Sequence, residues 1–213
     1  MHEYSVIGHP RKTIILMLAI VSGAISKFVT YLLEVWFVVE FDLVIGFSIS
    51  TFSIFAILYL LFNHVIWKLN IFSKYLHFPN LNGKWIYTGL SNNIEQQKQY
   101  PLEGTIVIEQ TWDKLLVSIK TSKSSSHSIS LTGGIKHFPG LGYKMTYHYE
   151  NVPKVSEVEL KKHEGFCILT FGEDKLTAEG CYFNNIKDRA TYGEMYLKRR
   201  EDDGKVRLHK KAG

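Results

Sequence analysis

Hydrophobic and polar positions change their rhythm once along this chain, near Phe78-Pro79-Asn80. Before that point, between Thr13 and Leu69, Leu, Ile, Val and Phe dominate with almost no charge. After it, apolar and polar residues alternate in short runs separated by Gly, Ser and Asn. The first rhythm predicts helices long enough to cross a bilayer, because about 20 apolar residues span a hydrocarbon core near 30 Å thick. The second predicts strands with one face buried.

The stronger span is 43–67, which holds no Asp, Glu, Lys or Arg and ends at Trp67 and Lys68, suited to an interfacial ring and a snorkelling cation. The first span, 13–39, is interrupted by Lys27 and Glu34. Seven positions apart, these two charges share a helix face, about 10 Å apart along the axis. Facing lipid would be costly, so they are expected to face protein or water and to help assembly; an earlier helix end with one snorkelling charge fits equally. Small residues at Ser22 and Ser26, and at Gly46, Ser50 and Ser53, permit close helix approach. Arg11 and Lys12 before an apolar run, with Ser-Gly-Ala at 22–24, suit a signal peptide, but the apolar run continues and a second span follows, which favours an uncleaved anchor. Lys and Arg flank the hairpin at 11, 12, 68, 74 and 84, whereas the connection carries Glu40 and Asp42, so both termini are expected in the cytoplasm.

Eight strands are expected, at about 84–90, 103–111, 114–121, 127–133, 143–151, 164–171, 175–183 and 190–199. A turn at Trp112-Asp113 would set Ile108 opposite Val117 and Ile106 opposite Ile119; Gly172-Glu173-Asp174 would close another hairpin. Consecutive short strands without an intervening helix read as an up-and-down, lipocalin-like barrel, which removes its own edges. The fold class is therefore a membrane helical hairpin followed by a compact eight-stranded β-barrel. The expected organisation is 1–12 as a cytoplasmic segment, 13–69 as the hairpin, 70–79 as linker, 80–200 as the barrel and 201–213 as a charged tail.

Alternation assigns an inner face: Trp85 and Tyr87; Ile106, Ile108 and Gln110; Leu115, Val117 and Ile119; Met145, Tyr147 and Tyr149; Phe166, Ile168 and Thr170; Ala178, Gly180 and Tyr182; Thr191, Gly193, Met195 and Leu197. His148 and His163 fall on the solvent side. One end of the inner face is plain core. The other gathers Trp85, Tyr87, Tyr147, Tyr149, Tyr182 and Thr191, with Asn184, Asn185 and Arg189 in the last connection. Aromatic rings stack on nucleobases, Asn and Thr pair with base edges, and Arg forks onto phosphate. Tyrosines that merely fill a barrel and bond one another at its rim fit the same alternation.

Charge and chemistry narrow the reading only a little. The net charge of +5 lies mostly in the second part and suits anionic lipid, nucleic acid or a phosphate ligand, or simply a solvated surface with a basic tail. Two cysteines, Cys167 and Cys181, form no framework and fit a reducing compartment, although neighbouring strands would allow a bridge. There is no G-x-S-x-G, Walker A or H-E-x-x-H pattern, and His127, His137 and His148, which would have to meet inside a barrel, have no metal-ligand spacing. No enzyme, cofactor or metal is expected.

The layout of two membrane helices before a barrel that opens Leu81-Asn82-Gly83-Lys84-Trp85-Ile86-Tyr87 and closes through 180–184 and Thr191-Tyr192-Gly193-Glu194-Met195-Tyr196-Leu197-Lys198 resembles the two-transmembrane β-barrel effectors of the bacterial cyclic-oligonucleotide antiphage signalling system, CBASS. The likeness covers nearly the whole chain. It implies an inner-membrane protein whose cytosolic barrel binds a cyclic dinucleotide made by a partner nucleotidyltransferase. Binding would drive homo-oligomerisation of the hairpins, bilayer disruption and death of the infected cell, with no DNA or RNA polymer as partner. The expected ligand residues are Trp85, Tyr87, Tyr147, Tyr149, Tyr182, Asn184, Arg189 and Thr191, and the expected assembly residues Lys27, Glu34, Gly46 and Ser50. The alternative is a membrane-anchored barrel for lipid or another apolar ligand, without toxicity.

Overall fold

The computed structural model describes residues 1–41, 49–122, 127–152, 162–186 and 189–200, with only the backbone at 38, 41, 70, 73, 74, 185, 186 and 189. Two compact units result: residues 1–8 together with those from Pro79 onward, and His9–Phe78.

In the second unit, helix α1 (Arg11–Phe41) precedes α2 (Thr51–His64), a 3-10 turn (Ile66–Lys68) and the short α3 (Asn70–Tyr75). Two stretches, Arg11–Phe37 and Thr51–Lys68, are long and apolar enough to cross a membrane. Both are mostly exposed, with Leu16, Ile20, Phe28, Trp36 and Phe52 turned outward, unlike core helices of a water-soluble fold. Small residues of α1 are buried along their mutual contact. Ser22 and Ser26 are buried, the Ser22 hydroxyl donates to the Leu18 carbonyl, and the Ser26 hydroxyl donates to the Ile49 carbonyl at 2.6 Å. Gly23 faces Thr51 across the same seam.

The described second helix is shorter than the apolar run. Gly46 lies outside the described residues, Ser50 stands just ahead of α2 without a side-chain cap, and the α-ladder ends at Val65 (φ −126°, ψ −58°). Trp67 is not an interfacial ring: it is fully buried, edge-on to Phe78 at 5.2 Å, with its N–H on the Asn63 carbonyl. Lys27 is exposed and Glu34 half-buried; no ion pair joins them among the described residues.

The first unit is a closed meander of eight antiparallel strands: β3 (Gly83–Asn93), β4 (Lys98–Gln110), β5 (Lys114–Thr121), β6 (His127–Phe138), β7 (Gly142–Val152), β8 (His163–Phe171), β9 (Thr177–Ile186) and β10 (Arg189–Arg199). Each pairs with the next, and β10 returns to β3 from Thr191↔Asn93 to Arg199↔Trp85, closing the barrel. The register Ile106↔Ile119 and Ile108↔Val117 is the one the Trp112-Asp113 turn implied.

One junction is short. Among the described residues β5 and β6 pair only over 118–120 and 127–129, after which a bulge between Ser130 and Thr132 bends β6 away. The gap is filled by two strands ahead of the hairpin: β1 (His2–Glu3) antiparallel to β5 and β2 (Ser5–Ile7) parallel to β6.

On β8 the sequence reading had the parity reversed. Cys167, Leu169 and Phe171 are buried inside, whereas Phe166, Ile168 and Thr170 turn outward and His163 turns inward. Both faces of this strand are apolar, so alternation carried no information, and the pairing Tyr147↔Cys167 and Tyr149↔Gly165 decides it. Nor do the three histidines meet: His127 and His137 lie at opposite ends of β6, and His148 faces Glu164 on the outer wall.

Candidate functional site

The barrel has a packed end and a hollow end. At the packed end, where the chain enters at the fully buried Leu81, Trp85 lies edge-on to Phe171 at 5.0 Å and donates its N–H to the Leu81 carbonyl. Ile106, Ile108, Leu115, Val117, Met145 and Leu169 complete the packing. Trp85, expected at the ligand, is therefore core and does not line the cavity.

At the hollow end a cavity of about 250 Å³ is bounded by every barrel strand. Tyr87, Tyr149 and Tyr182 form its aromatic walls, with Met195 and Cys167 also lining it and Asn184 and Thr191 near the β9–β10 connection. Tyr147 sits one inward position deeper on β7, fully buried beside the Cys167 thiol, and does not line the cavity. Of the eight expected ligand residues, Tyr87, Tyr149, Tyr182, Asn184 and Thr191 line the cavity, Tyr147 lies below it and Trp85 in the packed core. Of Arg189 only the backbone is described, paired with Ile186.

Each of these tyrosines lies opposite a glycine on the neighbouring strand: Tyr87↔Gly104, Tyr147↔Gly133, Tyr149↔Gly165 and Tyr182↔Gly193. The missing side chain lets the ring lie back against the wall and leaves the centre open. A Cβ on Gly165 would stand 2.4 Å from Tyr149 Oη and 2.7 Å from the Phe183 carbonyl. Gly165→Ala is therefore expected to push the Tyr149 ring into the cavity, to cost ~1–3 kcal/mol of stability by overpacking, and to weaken ligand binding. Thermal denaturation and ligand titration of the variant check both effects.

Polar groups on the walls are held in defined orientations. Asn184 Oδ1 accepts from both the Thr191 N–H and the Thr191 hydroxyl, each at 2.8 Å, which fixes the amide and leaves its Nδ2 as an unused donor. The Tyr182 hydroxyl donates to Ser91 Oγ at 2.7 Å, and Tyr87 Oη meets Thr121 Oγ1 at 3.2 Å. Asn151 Nδ2 donates to Ser128 Oγ at 2.9 Å, leaving Asn151 Oδ1 buried without a partner; Tyr147 Oη is the other such atom among the described residues. Unpaired buried polar atoms cost ~1–3 kcal/mol each, a cost a polar ligand can remove.

Burial pushes the hydroxyls of Tyr87, Tyr147 and Tyr149 upward, and the Cys167 thiol up to about 12, so these groups stay neutral at physiological pH. Among the described residues lining the cavity there is no Lys, Arg, Asp or Glu, and His163 is the sole potential cation. No group of His, Cys, Asp and Glu suited to a metal occurs among the described residues.

Ser91, Leu102, Thr121, Ser128, Asn151, His163 and Cys167 line the cavity but were not expected to. Ser91, Leu102, Thr121 and Asn151 continue, in phase, the inner series of strands β3, β4, β5 and β7, so following that alternation further along each strand would have found them.

Residues 76–199 match the protein family described as Cap15, cyclic dinucleotide receptor domain. CD-NTase-associated protein 15 of Yersinia aleksiciae is 39% identical over 153 residues, covering 72% of this chain and 71% of that protein.

Proposed function

The chain belongs to the Cap15 cyclic dinucleotide receptor family, and on that premise we propose that its barrel receives a cyclic dinucleotide from a partner nucleotidyltransferase as a CBASS effector. The ligand occupies the hollow end of the barrel, its bases stacking on Tyr87, Tyr149 and Tyr182. Asn184 Nδ2 donates to a base or phosphate oxygen, and the unpaired Asn151 carbonyl accepts from a base N–H. Arg189, at the start of β10, supplies charge to the phosphates. Occupancy drives homo-oligomerisation of hairpins in the bacterial inner membrane, with both termini cytoplasmic, through faces that include Lys27, Glu34, Gly46 and Ser50. Bilayer disruption and death of the infected cell follow.

The observation that carries the ligand assignment is the combination of three aromatic walls, an oriented amide donor and an unsatisfied buried acceptor around one cavity. The full chain in detergent, heated with cyclic di-AMP, cyclic di-GMP or cyclic di-UMP, tests it. A ligand at 100 times its Kd adds about 2.7 kcal/mol. A shift with one or two of the three supports the assignment. No shift with any of them, alongside co-purified lipid in the barrel, favours the anchored apolar-ligand module instead.

A further inference from the structure

Among the described residues, the shortest ladder of the barrel wall lies beside the cavity. Among the described residues, other neighbouring barrel strands pair over most of the shorter partner's length, but β5 and β6 share only 118–120 with 127–129. The middle pair, Ile119↔Ser128, lines the cavity on both sides, and Thr121, on β5 just beyond the last pair, lines it too. A ligand there touches the ladder pairs that hold this junction among the described residues.

Past the bulge in β6, residues 2–7 take over the pairing: His2↔Leu115 and Glu3↔Lys114 on one side, Ser5↔Gly134 to Ile7↔Lys136 on the other. A relay ties this strap to the junction. The Val117 N–H, without a β6 carbonyl to meet, donates to Ser130 Oγ at 2.9 Å. Ser130 Oγ lies 2.8 Å from His2 Nε2, and His2 Nδ1 donates to the Glu3 carbonyl at 2.8 Å. Tyr4 is buried and donates to the Thr111 carbonyl at 3.0 Å. Three residues separate Ile7 from the start of α1 at Arg11.

The cavity, at about 250 Å³, falls below the roughly 300–1,000 Å³ of pockets that enclose drug-sized ligands. A two-base ligand therefore has to widen it, and a closed wall yields where the fewest hydrogen bonds hold it. We propose that the N-terminal strap is the latch of the sensor: ligand binding opens the β5–β6 junction, loosens residues 2–7, and so passes cavity occupancy along the chain into α1. This rests on the ligand reading above and adds its route of transmission. Linkage makes it testable, because a ligand that loosens the strap must bind less tightly when the strap cannot loosen.

The register offers a reversible lock. A Cβ on Gly134 would lie 3.2 Å from Ser5 Oγ, with Gly134 outside the left-handed region, a geometry that suits a disulfide. The full-length S5C/G134C protein, carrying Cys181→Ser to remove the exposed native thiol, is titrated with whichever of cyclic di-AMP, cyclic di-GMP and cyclic di-UMP shifts the unmodified protein most. With the crosslink formed and verified by mass, affinity is expected to fall at least about tenfold and to return on reduction. Equal affinity in both states overturns the latch. On the unmodified protein, hydrogen exchange of amides 2–7 is expected to quicken with ligand while the rest of the barrel slows; slower or unchanged exchange there also overturns it. If the reduced and unmodified proteins bind none of the three nucleotides, the ligand reading itself fails and takes the latch with it.

Discussion

Asn184→Asp is expected to leave the barrel folded and to lower cyclic dinucleotide affinity at least about a hundredfold, close to the 3 kcal/mol scale of hydrogen bonds to charged groups. The carboxylate keeps the oxygen that accepts from the Thr191 N–H and hydroxyl, so the structural duty of the side chain survives. What changes is the other half of the amide. Its Nδ2, the unused donor at the cavity, becomes an acceptor carrying negative charge, facing a ligand with two phosphates in a cavity whose described lining has no Lys or Arg. Thermal denaturation without ligand and titration with it separate the two roles. Near-native melting with lost binding supports Asn184 as a ligand donor; near-native melting with unchanged affinity removes it from the site. Asn184→Leu, by contrast, should damage both, because the buried Thr191 N–H loses its acceptor.

The second large effect concerns stability. Gln110→Met keeps the volume of a buried side chain and removes its polar atoms, and is expected to destabilise the barrel unit by ~3–5 kcal/mol, as two or three buried groups lose partners worth ~1–3 kcal/mol each. Gln110 Oε1 accepts from the Leu81 N–H at 2.9 Å, and its Nε2 donates to the Pro79 carbonyl at 3.0 Å and to the Tyr4 hydroxyl at 2.9 Å. One amide thus fastens the incoming chain, the packed end and the N-terminal strap. Chemical denaturation checks the loss, with an unchanged m-value showing that packing is otherwise kept. A loss below about 1 kcal/mol would mean that water replaces the amide, and that Gln110 holds neither segment.

Much of the architecture was legible along the chain. The apolar runs flanking Lys27 and Glu34 announced helices that only a bilayer or a large core would accept, and Ser22 and Ser26 marked the face where they meet. The turn at Trp112-Asp113 fixed which residues of β4 and β5 face each other, since a short connection leaves almost no freedom of register. The opening around Trp85 and the closing run through Met195 carried the family resemblance, and Tyr87, Tyr149, Tyr182, Asn184 and Thr191 converge on one cavity.

Other features depend on distances that the chain order hides. Trp85 reads like its neighbour Tyr87 in alternation, yet a displacement of two residues along the barrel axis separates filled core from open cavity. Phe166 and Cys167 are both apolar, so only pairing with β7 chooses between them. The glycines behind the tyrosines look like punctuation until their strands are aligned, and residues 2–7 read as part of a cytoplasmic segment until the bulge in β6 opens an edge for them.

The sequence by itself determined where helix gives way to strand, the eight strands of the barrel, and which residues prefer an interior, because periodicity and turn chemistry act between neighbours. Only the tertiary structure decided which interior positions stay empty, which glycine each ring leans on, and which edge the N-terminus completes. Those depend on strand register and barrel closure, where one hydrogen-bond step moves every side chain to the other face.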